Sequence, residues 1–270
     1  MSGEFVENKT NTMVTETNTF ECQEIYERVD SEYEQLEYIE STAAMTTKPY
    51  IDTEYYWNTE KATIITDLMI TNNGASQTVF GSEEPKASGN RYFAHILHGS
   101  GGNFSNYIGE GSTGATTTLT LNKRLTIEYI AHGNKTFTTR TTDQDKNITI
   151  YNNKVSYNGT IQTRANSTTS VANRGNIYIF ANHNSSSSTY PNGVLQQIGG
   201  MKLYRFIMID NDQRVRDFIP CRRKSDSKIG LLDLINNKFY TTPVGTFTAG
   251  NVINNNINVE MLSDGRVYTR

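Results

Sequence analysis

Few residues have the type and spacing for chemistry, and most lack the setting that the chemistry requires. Gly109-Glu110-Gly111-Ser112-Thr113-Gly114 has the GxGxxG pattern of a phosphate cradle. Such a cradle works where it closes a strand and opens a helix, because the helix N-terminus supplies the N–H groups that hold a pyrophosphate. The β-like run ATTTLTLNK follows instead, so a flexible turn is expected. Asp143, Asp145 and Asn147 mimic the first half of an EF-hand loop, but Ile148 stands where the loop needs Gly and Lys154 where it needs Glu. An EF-hand is excluded. A looser calcium site built from Asp and Asn in turns stays open, since calcium takes oxygens in flexible geometry. No other cofactor and no specific metal ligand set is expected.

His95 and His98 lie an odd number apart on a strand-like run and so point to opposite faces, and His132 and His183 lie in other segments. They make no shared metal site. His98-Gly99-Ser100-Gly101-Gly102 lacks the leading Gly of a nucleophile elbow. Glu32, Glu34 and Glu37 evoke the paired carboxylates of a glycosidase, but residues 34 and 37 cannot share a strand face. No pair of carboxylates is expected on one face of a single strand in a setting that would drive their pKa values apart, so no catalytic residue is assigned. The cluster Tyr55-Tyr56-Trp57 holds the only Trp and sits in a loop-like stretch after PYIDT. Flat aromatic faces stack on sugar rings while Asn and Asp bind hydroxyls, so Tyr56 and Trp57 are candidate carbohydrate contacts. Tyr190, in the low-complexity loop SSSSTYPNG, joins them as an outward-facing ring. The alternative for the cluster is a packed lid over the edge of the fold.

The elements that would position these residues are β-strands. The 270 residues carry a net charge of −3, which leaves no basic excess to attract a nucleic acid or an anionic membrane. Only 36% of residues are hydrophobic and 20% charged, with Thr, Asn, Ser and Gly replacing the Leu, Ala, Glu and Lys of helical proteins. Tyr and Phe dominate the aromatics and suit a pleated, half-buried surface. No signal peptide and no run of about 20 apolar residues is visible, so no membrane span is expected. From Leu36 to about Gly250, short β-like runs alternate with turn sequences such as NNGAS, HGNK, DNDQ and INNK, without helical intervals. This predicts an all-β fold, an antiparallel sandwich or barrel. In LTIEYIAH, Leu125, Ile127, Tyr129 and Ala131 share one face; KLYRFIMID is too apolar for a one-sided strand and should be central.

Three segments follow. Residues 1–33 form a polar arm for assembly or anchoring, with Ile25, Val29 and Leu36 spaced closely enough to a helical face to allow a short helix near its end. Residues 34–250 form the module. Residues 251–270 are an Asn-rich tail in which VEML and RVY flank Asp264-Gly265, a strong hairpin signal. Cys22 and Cys221 fall in segments of different character and are read as free thiols of a reducing cytoplasm. Asp217 shares a strand face with Ile219, next to the core strand of Phe218; it needs a partner, and backbone donors or Arg222 are expected to supply one. Pro220 should end that strand or lie at an edge, since it cannot donate to a ladder.

The segment QLEYIESTAAMTTKPYIDTEYYWNTEKATIITDLMIT, with YI-D-T-x-Y before a long apolar strand, resembles the opening of a concanavalin A-like (laminin-G-like) jelly-roll module found in bacteriophage structural proteins. The segment with KLY, an Asp/Asn turn, RDFIPC, GLLD and KFY in order resembles the close of such a module. The resemblance implies a jelly-roll β-sandwich on a virion, made in the host cytoplasm, in a head or tail fibre or as decoration. It implies other virion proteins and bacterial surface glycans as partners, and no catalytic residue. Two other roles are consistent with it: a purely structural capsid or tail component that binds no sugar, and a glycan-cleaving enzyme. An isolated hairpin is marginal in water, and the arm buries even less, so both termini are expected to serve contacts within a homo-oligomer, a trimer by analogy with phage fibres.

Overall fold

Strict alternation of inward and outward residues drives the fold. Along Lys61–Ile70, Ala62, Ile64, Thr66, Leu68 and Ile70 are buried while their neighbours are not. Along Arg124–His132 the buried set is Leu125, Ile127, Tyr129 and Ala131, the face read from the sequence. The period of two fits half-buried strands and no helix. The structure is a computed structural model that describes residues 32–56, 61–72, 77–83, 91–98, 103–109, 111–113, 121–132, 136–144, 148–156, 176–183, 195–253, 260–261 and 267–268.

In chain order the strands begin with β1 (Tyr33–Gln35), β2 (Ile39–Ser41), β3 (Ile51–Tyr56), β4 (Lys61–Ile70), β5 (Gln77–Glu83), β6 (Arg91–His98) and β7 (Asn103–Gly109). Next come β8 (Gly111–Thr113), β9 (Arg124–His132), β10 (Thr136–Asp143), β11 (Ile148–Ser156), β12 (Asn176–Ile179), β13 (Ala181–His183) and β14 (Leu195–Gln197). The last are β15 (Met201–Asp210), β16 (Gln213–Arg223), β17 (Ile229–Asp233), β18 (Lys238–Thr241), β19 (Thr248–Ala249), β20 (Glu260–Met261) and β21 (Val267–Tyr268). The large sheet runs β11-β10-β9-β4-β15-β16-β17-β18, with β1 beside β16 and β2 joining β15 to β19. The smaller sheet runs β3-β12-β5-β6-β7-β8. The strands pair antiparallel throughout both sheets.

The two sheets pack face to face. Ile64, Leu68, Ile127, Tyr129, Leu203, Phe206, Met208 and Phe218 from the large sheet meet Ile51, Val79, Phe80, Ile177 and Ile179 from the small one in a single buried cluster. The ring of Phe80 stands edge-on to Tyr129 at 5.1 Å and to Phe206 at 5.6 Å, which locks the layers in register. Each such side chain, fully buried, contributes about 1.5–3 kcal/mol. The result is an all-β, antiparallel jelly-roll sandwich. A second cluster of Tyr33, Ile219, Cys221 and Leu232 lies apart from it. Strand β15 is central, as its composition suggested, flanked by β4 and β16.

Three sequence expectations change. Pro220 neither ends β16 nor stands at an outer edge: β16 continues to Arg223 and pairs with β17 through Pro220 opposite Leu231. On its other side β15 pairs as far as Phe218 and β1 pairs from Cys221 to Arg223, so the proline falls where one neighbour gives way to the other and its missing N–H leaves out a single reciprocal bond at the end of the β1 ladder. Its carbonyl still accepts from the Leu36 N–H at 2.9 Å. The stretch allowed as a helix up to Leu36 ends in strand, because Tyr33–Gln35 pairs with Cys221 to Arg223. Asp217 is held by Arg205 and Arg214, while Arg222 pairs with Glu34.

The flanks of the module are knitted together. Leu36 bridges Val252, the Ile253 N–H donates to Gln35 O at 2.9 Å, and the Glu37 N–H donates to Asn251 O at 2.9 Å. Further along, β20 pairs antiparallel with β21, Met261 opposite Val267. Cys22 and residues 1–31 lie outside the described residues.

Candidate functional site

A cleft of about 420 Å³ opens between β3, β12 and β18. One wall is Tyr50, Asp52 and Glu54, the second is Tyr178, and the third runs from Lys238 through Tyr240 and Thr241 to Pro243. Its two main walls therefore come from the YI-D-T and K-F-Y segments near the two ends of the module.

The local sequence Ile51-Asp52-Thr53-Glu54 makes the first wall. Asp52 Oδ1 accepts a hydrogen bond from the Glu54 N–H at 2.8 Å, the Asx turn that an Asp two residues upstream favours. Glu54 adopts φ 53°, and the β3–β12 ladder shifts register there, from Asp52 opposite Tyr178 to Tyr56 opposite Asn176. The bulge is fixed by Thr53, whose hydroxyl donates to Ile177 O at 2.7 Å. Glu54 lines the same cleft as Asp52. The third wall follows from a tight β17–β18 turn gripped by Asp233, which accepts from the Ile235 N–H at 3.1 Å and from Asn236 Nδ2 at 2.9 Å.

Asp52 is the centre of the site. Its Oδ1 accepts a second bond, from Asn176 Nδ2 at 2.9 Å, while Oδ2 has no hydrogen-bond partner among the described residues. Burial raises its pKa above the ordinary value, opposed by these two donors. Glu54 forms an ion pair with Lys238 across the cleft, both about half exposed. Lys238 also lies 5.0 Å from the Tyr240 ring. The rings of Tyr50 and Tyr178 sit 5.8 Å apart, and burial, with the Asp52 charge as a lesser cause, raises both phenol pKa values. Both therefore stay protonated and offer neutral hydroxyls. Behind the cleft, Arg216 donates to Thr53 O at 3.2 Å and lies 3.5 Å from Asp233, which is fully buried and whose pKa burial raises.

Chemically, the cleft offers tyrosine faces, one uncommitted carboxylate oxygen and an ion pair, a set suited to a polyhydroxylated ligand. Asp52 and Glu54, two residues apart on β3, both line the cleft, as the alternation of a strand allows.

The residues singled out in the sequence fare differently. Tyr55 and Tyr56 belong to β3 and not to a loop. Tyr55 packs against the core and its hydroxyl donates to Asp210 Oδ2 at 2.6 Å, so it serves the fold. Tyr56 pairs with Asn176, and Trp57 and Tyr190 lie outside the described residues. Of the GxGxxG glycines, Gly109 ends β7 and Gly111 begins β8, with Ile108 opposite Gly111, and Gly114 lies outside the described residues. Asp143 is spent on Lys123, and Asp145 and Asn147 lie outside the described residues. His132 Nε2 is 2.8 Å from Thr138 Oγ1. Among the described residues no group of three or more His, Cys, Asp or Glu side chains is placed to hold a metal ion.

No protein-family model and no curated protein matches this chain. Among solved structures, the chain is similar to the CBM40 of a Ruminococcus gnavus IT-sialidase bound to α2,3-sialyllactose, at 14% identity over 64% of this chain and 89% of that one, with a TM-score of 0.38. It is also similar to a mutant Trypanosoma rangeli sialidase displaying trans-sialidase activity, at 8% identity over 75% and 37% of the two chains, TM-score 0.37. A scytalido-glutamic peptidase with a peptide-based transition-state analogue is a third, at 10% identity over 76% and 98%, TM-score 0.35. The ligands and activities in those names stay with those proteins; the sandwich stands on the strand order and packing above.

Proposed function

We propose that this chain is a non-enzymatic, lectin-like module of a bacteriophage particle that attaches to bacterial surface glycans through the Asp52 cleft. The observation that carries the sugar-binding part is the Asp52 carboxylate, oriented through Oδ1 and left with Oδ2 for a ligand, between tyrosine rings in an open cleft. Sugar recognition uses such pairs, a ring face for the apolar side of the pyranose and a fixed acceptor for its hydroxyls. Tyr56, Trp57 and Tyr190 serve as further contact residues in this reading. The particle setting draws its support from the resemblance of the opening and closing segments to phage structural modules. Other virion proteins and a homotrimer of this chain are the proposed partners.

A panel of bacterial polysaccharides and oligosaccharides tests the reading, followed by titration of each hit against the full chain and its Tyr178→Ala variant. Binding that weakens at least tenfold in the variant supports it; a panel with no hit leaves the purely structural role. Locating the chain on purified particles tests the virion part. A second reading, glycan cleavage, is favoured by one observation: Asp52, with its raised pKa, shares a cleft with Glu54. Release of reducing sugar that is lost in both Asp52→Asn and Glu54→Gln would establish it over binding alone.

A further inference from the structure

We infer that the sugar residue seated against Asp52 carries a free, protonated amine, and that the cleft selects amino sugars over carboxylated ones; this rests on the glycan-binding reading above. The charge inventory points that way. Asp52 and Glu54 bring two negative charges to the lining and Lys238 one positive, and Lys238 is already engaged by Glu54. Arg216 and Asp233 behind the wall face each other at 3.5 Å and offset one another. Among the described residues the lining is therefore net negative, and no lining cation is left to receive the carboxylate of an acidic sugar. Bringing such a carboxylate beside Asp52 would juxtapose like charges across a partly desolvated gap.

The acceptor chemistry is selective in the same direction. An ionised carboxylate oxygen only accepts hydrogen bonds, so the group that meets Asp52 Oδ2 must donate. A hydroxyl or an amide satisfies that demand with a neutral donor. An ammonium satisfies it with a charge-assisted bond of roughly twice the strength, and it gains again from tyrosine faces within reach of a cation. Asn176 and the Glu54 N–H hold the carboxylate in place, so the bond requires no reorganisation. Two independent terms, charge and ring face, thus favour the amine.

The experiment compares three probes on the full chain at about pH 6: glucosamine oligomers with free amines, the same oligomers N-acetylated, and sialyllactose. Expected is binding of the glucosamine oligomers about tenfold tighter than of the acetylated ones, no measurable sialyllactose binding, and loss of the difference in Asp52→Asn with thermal stability retained. Equal binding of free and acetylated oligomers, sensitive to Tyr178→Ala, would overturn the amine preference while the glycan-binding reading stands. Tighter binding of sialyllactose would do the same. Binding of other glycans from the wider panel, with glucosamine oligomers inert, would likewise sink the inference alone. Silence from every glycan would remove both.

Discussion

Arg205 grips Asp217 with two parallel hydrogen bonds, Nε to Oδ1 at 2.9 Å and Nη2 to Oδ2 at 2.8 Å. Arg214 adds a third at 2.9 Å, while the Asp217 backbone N–H donates to Asp233 at 3.0 Å. One side chain thus ties β15 to β16, and its own backbone ties β16 to the β17–β18 turn. The carboxylate is almost fully buried and both guanidinium groups are about half exposed. Asp217→Ala should therefore lower unfolding free energy by about 2–3 kcal/mol. Arg222→Ala, which breaks the partly exposed pair with Glu34, should cost less than about 1 kcal/mol. Urea titrations of the two variants check the ranking, and equal costs would refute it.

Asp52→Asn should change stability little at neutral pH, within about 1 kcal/mol, because the amide keeps an Oδ1 acceptor for Asn176 and the Glu54 N–H. Burial raises the Asp52 pKa above its ordinary 3.8, so the folded chain holds that proton more tightly than the unfolded chain does. The resulting contribution is full below pH 3.8 and fades as pH rises through the raised value. The stability of the natural chain relative to Asp52→Asn should accordingly be greatest in acid and decline toward neutrality. Paired denaturant titrations from acid to neutral pH would show this; an increase toward neutrality would contradict it.

Cys221 is fully buried against Ile219, Leu232 and Tyr33, and burial pushes its thiol up to about 12. Only the thiolate reacts, so at pH 8 the pKa alone slows alkylation roughly a thousandfold relative to the unfolded chain, before exclusion of the reagent is counted. In a Cys22→Ser background, iodoacetamide should leave the native chain unlabelled over the time in which the urea-unfolded chain reacts fully. Rapid native labelling would show that β16 and β17 open far more often than this packing allows.

Gly230 stands where a side chain has no room: an added Cβ would lie 2.1 Å from the Tyr240 carbonyl oxygen, a backbone atom of the paired β18. Gly230→Ala must push β18, and with it Lys238 and Tyr240, out of place. A loss of about 1–3 kcal/mol and weakened cleft binding are expected together. Thermal melting and glycan titration of the same preparation test both, and a variant as stable as the natural chain would be a failure of the packing argument.

The proposed oligomer calls for truncation. Tyr33–Gln35 and residues 251–253 belong to the sheet margin, so the cuts must fall outside residues 32–253. Residues 32–253 alone should remain folded and sediment as a monomer, while the full chain sediments as a trimer. If the trimmed module still assembles, or the full chain is monomeric, the arm and tail are not the contacts.

The sandwich was legible because its signals are local. The alternation that buries Leu125, Ile127, Tyr129 and Ala131 is visible in eight consecutive letters, as is the apolar excess that marks β15 as central. Asp217 shows where local reading stops. The sequence offers backbone donors or Arg222 as its partner, but the cross-strand register sets Ile207 opposite Asp217, so Arg205 lies two residues along on the neighbouring strand, within diagonal reach. The Asp52 cleft is hidden for a related reason: the strand period alone puts Tyr50, Asp52 and Glu54 on one face, but Tyr178 and Lys238 join them only through sheet packing. The one signal available was the Asp-Thr-Glu turn inside a strand, read as the approach to an aromatic loop.

The bridge between Leu36 and Val252 has a mechanical consequence. The two flanking segments run antiparallel, with Gln35 and Ile253 the outermost described pair between them. A tension that separates the flanks would load their hydrogen bonds in sequence, like a zipper, and release them one at a time at low force. A tension that draws both flanks together against a ligand held in the cleft would instead pass through the whole sandwich, whose ladders share the load. Such a module is weak when its flanks are pulled apart and strong when they are tethered side by side, a polarity that single-molecule pulling in the two geometries would measure directly.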